Sequence, residues 1–129
     1  MSIVHTITGI AALVCFILLV IKYPLRKLRL FSLNAFLMKL HEAASGIFFL
    51  AAIAHMITGF SLIKTSPAAL IVSGFAAFII SIVLIAACHM TKDVKKKMYW
   101  HLWYSLLMTA AIVVHVVCAW ILYRQNDNP

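Results

Sequence analysis

Long apolar stretches separated by short polar segments dominate the chain. Four stretches, at roughly 3–22, 35–62, 68–90 and 98–123, are long enough to cross about 30 Å of hydrocarbon as α-helices. Pro24 follows the first stretch and Ser66-Pro67 precedes the third, so we expect helix boundaries there, with Ser66 as N-cap. The pattern predicts an all-α, integral membrane four-helix bundle that forms a single domain over residues 1–129.

The composition strengthens this prediction. Hydrophobic residues make up 65% of the chain and charged residues 11%, which excludes an ordinary water-soluble core. The connectors are too short for a nucleotide-binding or flavin-binding domain. Any catalytic partner is therefore expected to be another polypeptide or a diffusible molecule.

The positive charge is concentrated on two of the three connectors. Nine of the eleven basic residues lie around the first and third connectors, and the positive-inside rule makes these connectors cytoplasmic. Both termini are then expected to face outward, across a bacterial-type cytoplasmic (inner) membrane. The net charge of +8 follows from this topology and from attraction to anionic membrane lipid, so no nucleic-acid partner is expected.

Two of the apolar stretches carry histidines at identical spacing. Residues 41–55 read HEAASGIFFLAAIAH and residues 101–115 read HLWYSLLMTAAIVVH. Fourteen residues span about 21 Å of helix and return to nearly the same face. The second and fourth helices run in the same direction, so His41 is level with His101 and His55 with His115. We call these the inner level and the outer level.

The residues between the histidines also match. Both stretches fit H-x3-S-x2-[FM]-x2-A-x3-H, with Ser45, Phe48 and Ala51 in the second helix and Ser105, Met108 and Ala111 in the fourth. We expect the small residues to let a flat macrocycle approach the backbone, and Phe48 and Met108 to fill the space between two cofactor levels.

Two imidazoles facing each other across a helical core are the ligand set of a low-spin b-type haem. A tetrahedral zinc site needs three or four converging ligands, whereas each level offers two. We therefore expect two haem b groups, with iron held by His41 and His101 at the inner level and by His55 and His115 at the outer level. The alternative is that these histidines only form hydrogen bonds at helix contacts.

The two His-x13-His helices resemble the di-haem core of membrane cytochromes b, found in quinol-oxidising respiratory complexes and in ferric reductase-like transmembrane domains. The segment LHEAASGIFFLAAIAHMITG, with Gly46 between its histidines, is most similar to the ferric reductase-like type. The resemblance covers helices two to four. It implies axial ligation by the four histidines and electron passage across the membrane. The chain differs in having four spans and no appended flavin or nicotinamide domain.

The expected function is transmembrane transfer of single electrons from a cytoplasmic-side quinol or flavoprotein to an extracytoplasmic acceptor. Whether the chain is a pure electron carrier or an oxidoreductase subunit stays open. The alternatives are a membrane anchor or haem-carrier subunit of a larger respiratory complex and, with less support, a divalent-metal transporter. Both a homo-oligomer and a complex subunit are compatible with the sequence.

Several other residues have open roles. We expect His5 and His89 to be interfacial histidines, with a contact to a haem propionate or quinone, or ligation, left open. Glu42 either pairs with a lysine or relays protons. The isolated cysteines and three of the glycines are expected to serve helix packing: Cys15, Cys88, Cys118, Gly9, Gly59 and Gly74.

Overall fold

The computed structural model describes residues 3–27, 34–62 and 66–127. It contains four long helices, and a 3₁₀ turn at Phe60–Leu62 follows the second of them. The helices are α1 (Ile3–Lys27), α2 (Asn34–Gly59), α3 (Ala68–Met90) and α4 (Val94–Asp127). All four are long and apolar enough to cross a membrane. The all-α class and the four candidate spans are thus confirmed.

Two expected boundaries of the helices are wrong. α1 continues through position 24 to Lys27, so Pro24 does not end the helix. A proline costs the helix one amide donor and crowds the preceding turn, which is tolerable where the helix is about to end. The N-cap of α3 is Pro67 rather than Ser66, and the carbonyl oxygen of Pro67 accepts hydrogen bonds from the amides of Leu70 and Ile71 at 3.0 and 3.3 Å.

The fourth helix begins earlier than its apolar stretch. The Asp93 carboxylate accepts hydrogen bonds from the backbone amides of Lys95 and Lys96 at 2.8 and 3.2 Å. These are the amides that a helix leaves without an internal partner, so Asp93 acts as the cap. The lysine-rich segment is therefore helical although it is not apolar.

The helices form two compact units, Met1–Ser61 (unit 1, with α1 and α2) and Leu62–Pro129 (unit 2, with α3 and α4). The helices run antiparallel within each unit. In unit 1, His5 lies beside His55, and the Lys22 ammonium lies 2.9 Å from the Met38 sulfur near the opposite end. In unit 2, His115 of α4 lies beside Leu70 near the start of α3.

Each unit has a small core and a largely apolar exposed surface. Phe16 and Phe48 are buried in unit 1, with ring centroids 6.4 Å apart, and Ser81 and Met108 are buried in unit 2. Many large apolar side chains are exposed, for example Leu50 at 67%. Such surfaces are stable in hydrocarbon, because the helices satisfy their own backbone hydrogen bonds.

Candidate functional site

The four matched histidines lie on two helices. His41 and His55 belong to α2 in unit 1, and His101 and His115 belong to α4 in unit 2. All four side chains are partly buried. The two outer-level histidines, His55 and His115, have the same type of surroundings although they belong to different units.

The His55 imidazole packs directly on the backbone of α1. Its Nδ1 lies 3.0 Å from the carbonyl oxygen of His5. A Cβ added at Gly9 would lie 2.8 Å from Cε1 and 3.0 Å from Nδ1 of the ring, so a side chain at this position would collide with the imidazole. Glycine at position 9 is what allows the ring to lie against the helix.

The His115 imidazole packs on α3 in the same way. Its Nδ1 lies 3.0 Å from the carbonyl oxygen of Leu70 and 3.4 Å from the Ser73 hydroxyl oxygen. A Cβ added at Gly74 would lie 2.9 Å from Cε1 and 3.0 Å from Nδ1. In both units the accepting carbonyl belongs to the residue four positions before the glycine.

These hydrogen bonds determine the tautomer of each outer-level histidine. A carbonyl oxygen only accepts, so Nδ1 of His55 and Nδ1 of His115 must carry the proton and donate. In a neutral imidazole the lone pair is then on Nε2, which is the nitrogen that could act as a metal ligand. Metal-ligating histidines commonly donate their other ring N–H to a backbone carbonyl in this way.

The contact between His5 and His55 is reciprocal, because each ring donates a hydrogen bond to the carbonyl oxygen of the other residue. Nδ1 of His5 lies 3.2 Å from the carbonyl oxygen of His55 and 3.2 Å from the Thr58 hydroxyl oxygen. A Cβ added at Gly59 would lie 3.0 Å from Cε1 of His5. The two imidazoles stack with centroids 4.0 Å apart and ring planes 17° apart. His5 therefore packs against α2, which the expectation of a simple interfacial residue did not include.

A short sequence pattern accompanies each of these contacts. Its first residue provides the carbonyl oxygen that accepts a hydrogen bond from the imidazole. A residue with a hydroxyl group follows three positions later, and a glycine follows one position after that. We call this the histidine-packing motif, and it occurs as HTITG (5–9), HMITG (55–59) and LIVSG (70–74). In each copy the hydroxyl oxygen lies within hydrogen-bond distance of the first residue's carbonyl oxygen, at 3.0, 3.1 and 3.1 Å respectively. The two threonine hydroxyl groups also lie 2.9 Å from the carbonyl oxygen of the residue before it, Val4 or Ala54.

The motif was missed at the sequence level, where Gly9, Gly59 and Gly74 were assigned to general helix packing. The repeated letters H-x2-T-G at 5–9 and 55–59 were the available signal. The facing histidine cannot be read from them, because it depends on the antiparallel register of the two helices.

The inner-level histidines have different surroundings. Nδ1 of His101 lies 3.3 Å from the hydroxyl oxygen of Ser105, one turn along the same helix. Nδ1 of His41 is buried. The Ser45 hydroxyl donates to the carbonyl oxygen of Glu42 at 2.7 Å. The two matched serines therefore act differently, since one is beside a histidine ring and the other bonds its own backbone.

The remaining members of the matched stripe are placed as follows. Phe48 and Met108 are buried at 8% and 5% exposure, and Phe48 packs on Phe16 of α1. Ala51 and Ala111 are partly buried. The expected role of Phe48 and Met108 between two cofactor levels stays a prediction.

Two of the polar residues with open roles, Glu42 and His89, lie at the surface of the described structure. The cysteines at positions 15, 88 and 118 are free thiols, of which Cys15 is buried. Within residues 3–27, 34–62 and 66–127, no group of three or more His, Cys, Asp or Glu side chains is placed to hold a metal ion.

The outer-level histidines fit the expected haem in their chemistry. A bis-imidazole haem requires neutral imidazoles whose Nε2 carries the lone pair and whose rings are held by a second hydrogen bond. The Nδ1 contacts of His55 and His115 meet both requirements.

No protein-family model matches the chain, and no curated protein and no solved structure is significantly similar to it.

Proposed function

We propose that the chain is a di-haem cytochrome b that carries single electrons across a membrane. The observation that carries this proposal is the shared state of His55 and His115. In both units an Nδ1–H bonded to a backbone carbonyl leaves the lone pair on Nε2. The two imidazoles have the same tautomer and occupy matching positions of the H-x13-H repeat. This similarity supports a common role as axial ligands.

The ligand pairs are proposed from the sequence spacing. His55 and His115 hold the outer-level haem, and His41 and His101 hold the inner-level haem. When bound, haem supplies a reversible one-electron iron couple. The chain holds the ligands in the correct tautomer, keeps the two levels about 21 Å apart along the helices, and surrounds them with apolar side chains.

We propose that electrons move outward across the membrane, in a topology that is predicted from the distribution of basic residues. The basic connectors place the inner level on the cytoplasmic side of a bacterial-type inner membrane. Electrons would enter there from a quinol or flavoprotein and leave at the outer level to an extracytoplasmic acceptor.

The proposal is tested by the ratio of haem to purified protein, measured on the native chain and on alanine variants of the four histidines. We expect about two haems per native chain. His55→Ala and His115→Ala should each remove the same haem, and His41→Ala and His101→Ala the other. A chain that binds no haem, or variants that do not fall into these two pairs, would overturn the proposal.

Redox measurements separate electron transfer from the haem-carrier alternative. An electron carrier shows two reversible midpoint potentials and reduces an acceptor enclosed in sealed vesicles. A carrier subunit instead transfers its haem to an apoprotein such as apomyoglobin. Uptake of divalent metal by vesicles, without haem absorbance, would favour a metal transporter.

A further inference from the structure

The helices α1 and α3 contribute none of the four proposed ligands, yet each contacts one of them through a histidine-packing motif. We infer that these two helices position the outer-level imidazoles. Gly9 and Gly74 set where each ring lies, and the carbonyl groups of His5 and Leu70 determine which ring nitrogen is protonated. The inference rests on the proposed function, because it assigns these residues to the ligands of one particular haem.

The glycines act by leaving space. An added Cβ would approach Cε1 of His55 to 2.8 Å at position 9 and Cε1 of His115 to 2.9 Å at position 74. Real Cβ atoms essentially never come closer than 3.0 Å to such a neighbour. An alanine at either position must displace the imidazole or separate the two helices. In contrast, an added Cβ at Gly46 meets nothing within 4 Å.

The carbonyl groups act on the chemistry of the ring. In both units the imidazole Nδ1 lies 3.0 Å from the carbonyl oxygen, and this hydrogen bond keeps the proton on Nδ1 and the lone pair on Nε2. The hydrogen bond also raises the basicity of Nε2, which would strengthen its bond to a haem iron and lower the potential of the iron couple. The main chain of a neighbouring helix thus acts on the ligand, and no ligand side chain is needed from α1 or α3.

The hydroxyl groups complete the motif. The Ser73 hydroxyl group donates to the Leu70 carbonyl oxygen at 3.1 Å. The Thr8 hydroxyl group lies 3.0 Å from the His5 carbonyl oxygen and 2.9 Å from that of Val4, so it divides its hydrogen bond between the two. Each hydroxyl group therefore shares the acceptor with the imidazole N–H. Because the hydroxyl group competes for the same oxygen, it weakens the hydrogen bond between the imidazole N–H and the carbonyl group.

The recurrence of a set of three groups separates this role from ordinary helix packing. Small residues are frequent wherever membrane helices approach each other, so a glycine alone carries little information. Here the glycine, the carbonyl group four residues earlier and the hydroxyl group between them recur in both units around an outer-level histidine. The identity of the first residue differs, being His5 in one unit and Leu70 in the other, so what is shared is the backbone geometry.

The experiment compares four variants of the full chain: Gly9→Ala, Gly74→Ala, Gly46→Ala and Gly59→Ala. Gly46→Ala is the matched control on α2. In Gly59→Ala, the added Cβ would contact the ring of His5, which is not a proposed ligand. Haem occupancy and the low-temperature EPR g-values of each haem are measured. In parallel, full-length chains produced without haem are labelled with ¹⁵N-histidine, and ¹⁵N NMR reports the tautomer at positions 55 and 115.

We expect Gly9→Ala and Gly74→Ala to weaken binding of the outer-level haem by roughly 10–100-fold and to shift its g-values, as for other residues that orient metal ligands. The inner-level haem stays bound and shows that the chain is folded. Gly46→Ala and Gly59→Ala keep both haems. In the haem-free chain, His55 and His115 carry the proton on Nδ1, and Gly74→Ala changes the signal of His115 alone.

The inference is overturned if the native chain lacks the Nδ1–H tautomer, if Gly9→Ala and Gly74→Ala leave the outer-level haem unchanged, or if they remove both haems equally. The last result would assign the glycines to general packing. If the tautomers are found but the native chain binds no haem, the proposed function fails while the contacts between the helices and the imidazoles are upheld.

Discussion

The region around His55 in unit 1 and the region around His115 in unit 2 share a backbone arrangement but differ in their side chains. In unit 1, His55 stacks on a second histidine, His5, and each ring donates to the other residue's carbonyl group. In unit 2, His115 faces Leu70, which offers the same carbonyl contact without an imidazole. The comparison shows that the carbonyl contact forms with either a histidine or a leucine at this position, because it is made by a main-chain oxygen.

The middles of the two units differ as well. Phe16 and Phe48 pack together in unit 1 with their rings tilted by 43°. The buried residues of unit 2 include Ser81 and Met108, and the Ser81 hydroxyl group donates to the carbonyl oxygen of Phe78 at 2.7 Å. An aromatic pair is thus part of the core of unit 1, and a buried hydroxyl group that bonds within its own helix is part of the core of unit 2.

The largest expected effect on stability comes from Phe16→Ala in unit 1. A Phe→Ala change costs roughly 3–5 kcal/mol in water-soluble cores, and because lipid weakens the hydrophobic term we expect about 2 kcal/mol here. The free energy of unfolding in detergent micelles is the measurement. Ile17→Ala, at a neighbouring position that is 52% exposed, is the control and should be nearly neutral. Equal losses from the two variants would contradict the buried placement of Phe16.

The next largest effect is expected from His5→Leu. This variant places in unit 1 the same residue type that unit 2 has at position 70, the first position of its histidine-packing motif. The Nδ1 contacts of His5 and its stacking on His55 are lost, so we expect the free energy of unfolding to fall by about 1 kcal/mol. The carbonyl group at position 5 remains, and His55 should therefore keep the outer-level haem.

The control for this variant is His89→Leu, at an exposed position on α3. Haem occupancy and the free energy of unfolding are measured for both variants. Loss of the outer-level haem in His5→Leu would mean that the imidazole of His5, rather than its backbone, is required.

The smallest effects are expected from Ser73→Ala and Thr8→Ala. Each removes one hydroxyl group from a shared carbonyl oxygen, at a cost of about 0.6 kcal/mol, typical of hydrogen bonds inside membrane proteins. The imidazole N–H then shares the carbonyl oxygen with one donor fewer. The outer-level midpoint potential should therefore shift slightly downward.

Ser81→Ala is the matched control for the hydroxyl variants, because it removes a buried hydroxyl group that bonds only within its own helix in the described contacts. It should cost a similar amount of stability without moving either potential. A downward shift in Ser81→Ala equal to that in Ser73→Ala would show that the shift does not come from the shared carbonyl group.

The helices were largely predictable from the sequence, and the exceptions have local causes. Apolar length alone located the four spans, because membrane helices need about 20 apolar residues. It missed the start of α4, which depends on the cap formed by Asp93. It also ended α1 too early, because Pro24 is followed by a further three helical residues.

The candidate site was predictable only in part. Periodicity placed His41 with His55 and His101 with His115, since equal spacing on a helix is a local property. The contacts to His5, Gly9, Leu70 and Gly74 depend on how antiparallel helices align, so no local pattern determines them. This is why His5 was expected at the interface, whereas its ring lies against α2.

The central claim is that two pairs of histidines each hold one haem by two imidazoles. Its most direct test is the low-temperature EPR spectrum of the oxidised, purified full chain, recorded together with the reduced-minus-oxidised optical spectrum. We predict two low-spin ferric signals and sharp b-type absorption bands. A high-spin ferric signal as the main component, or the absence of haem bands from folded protein, would contradict it.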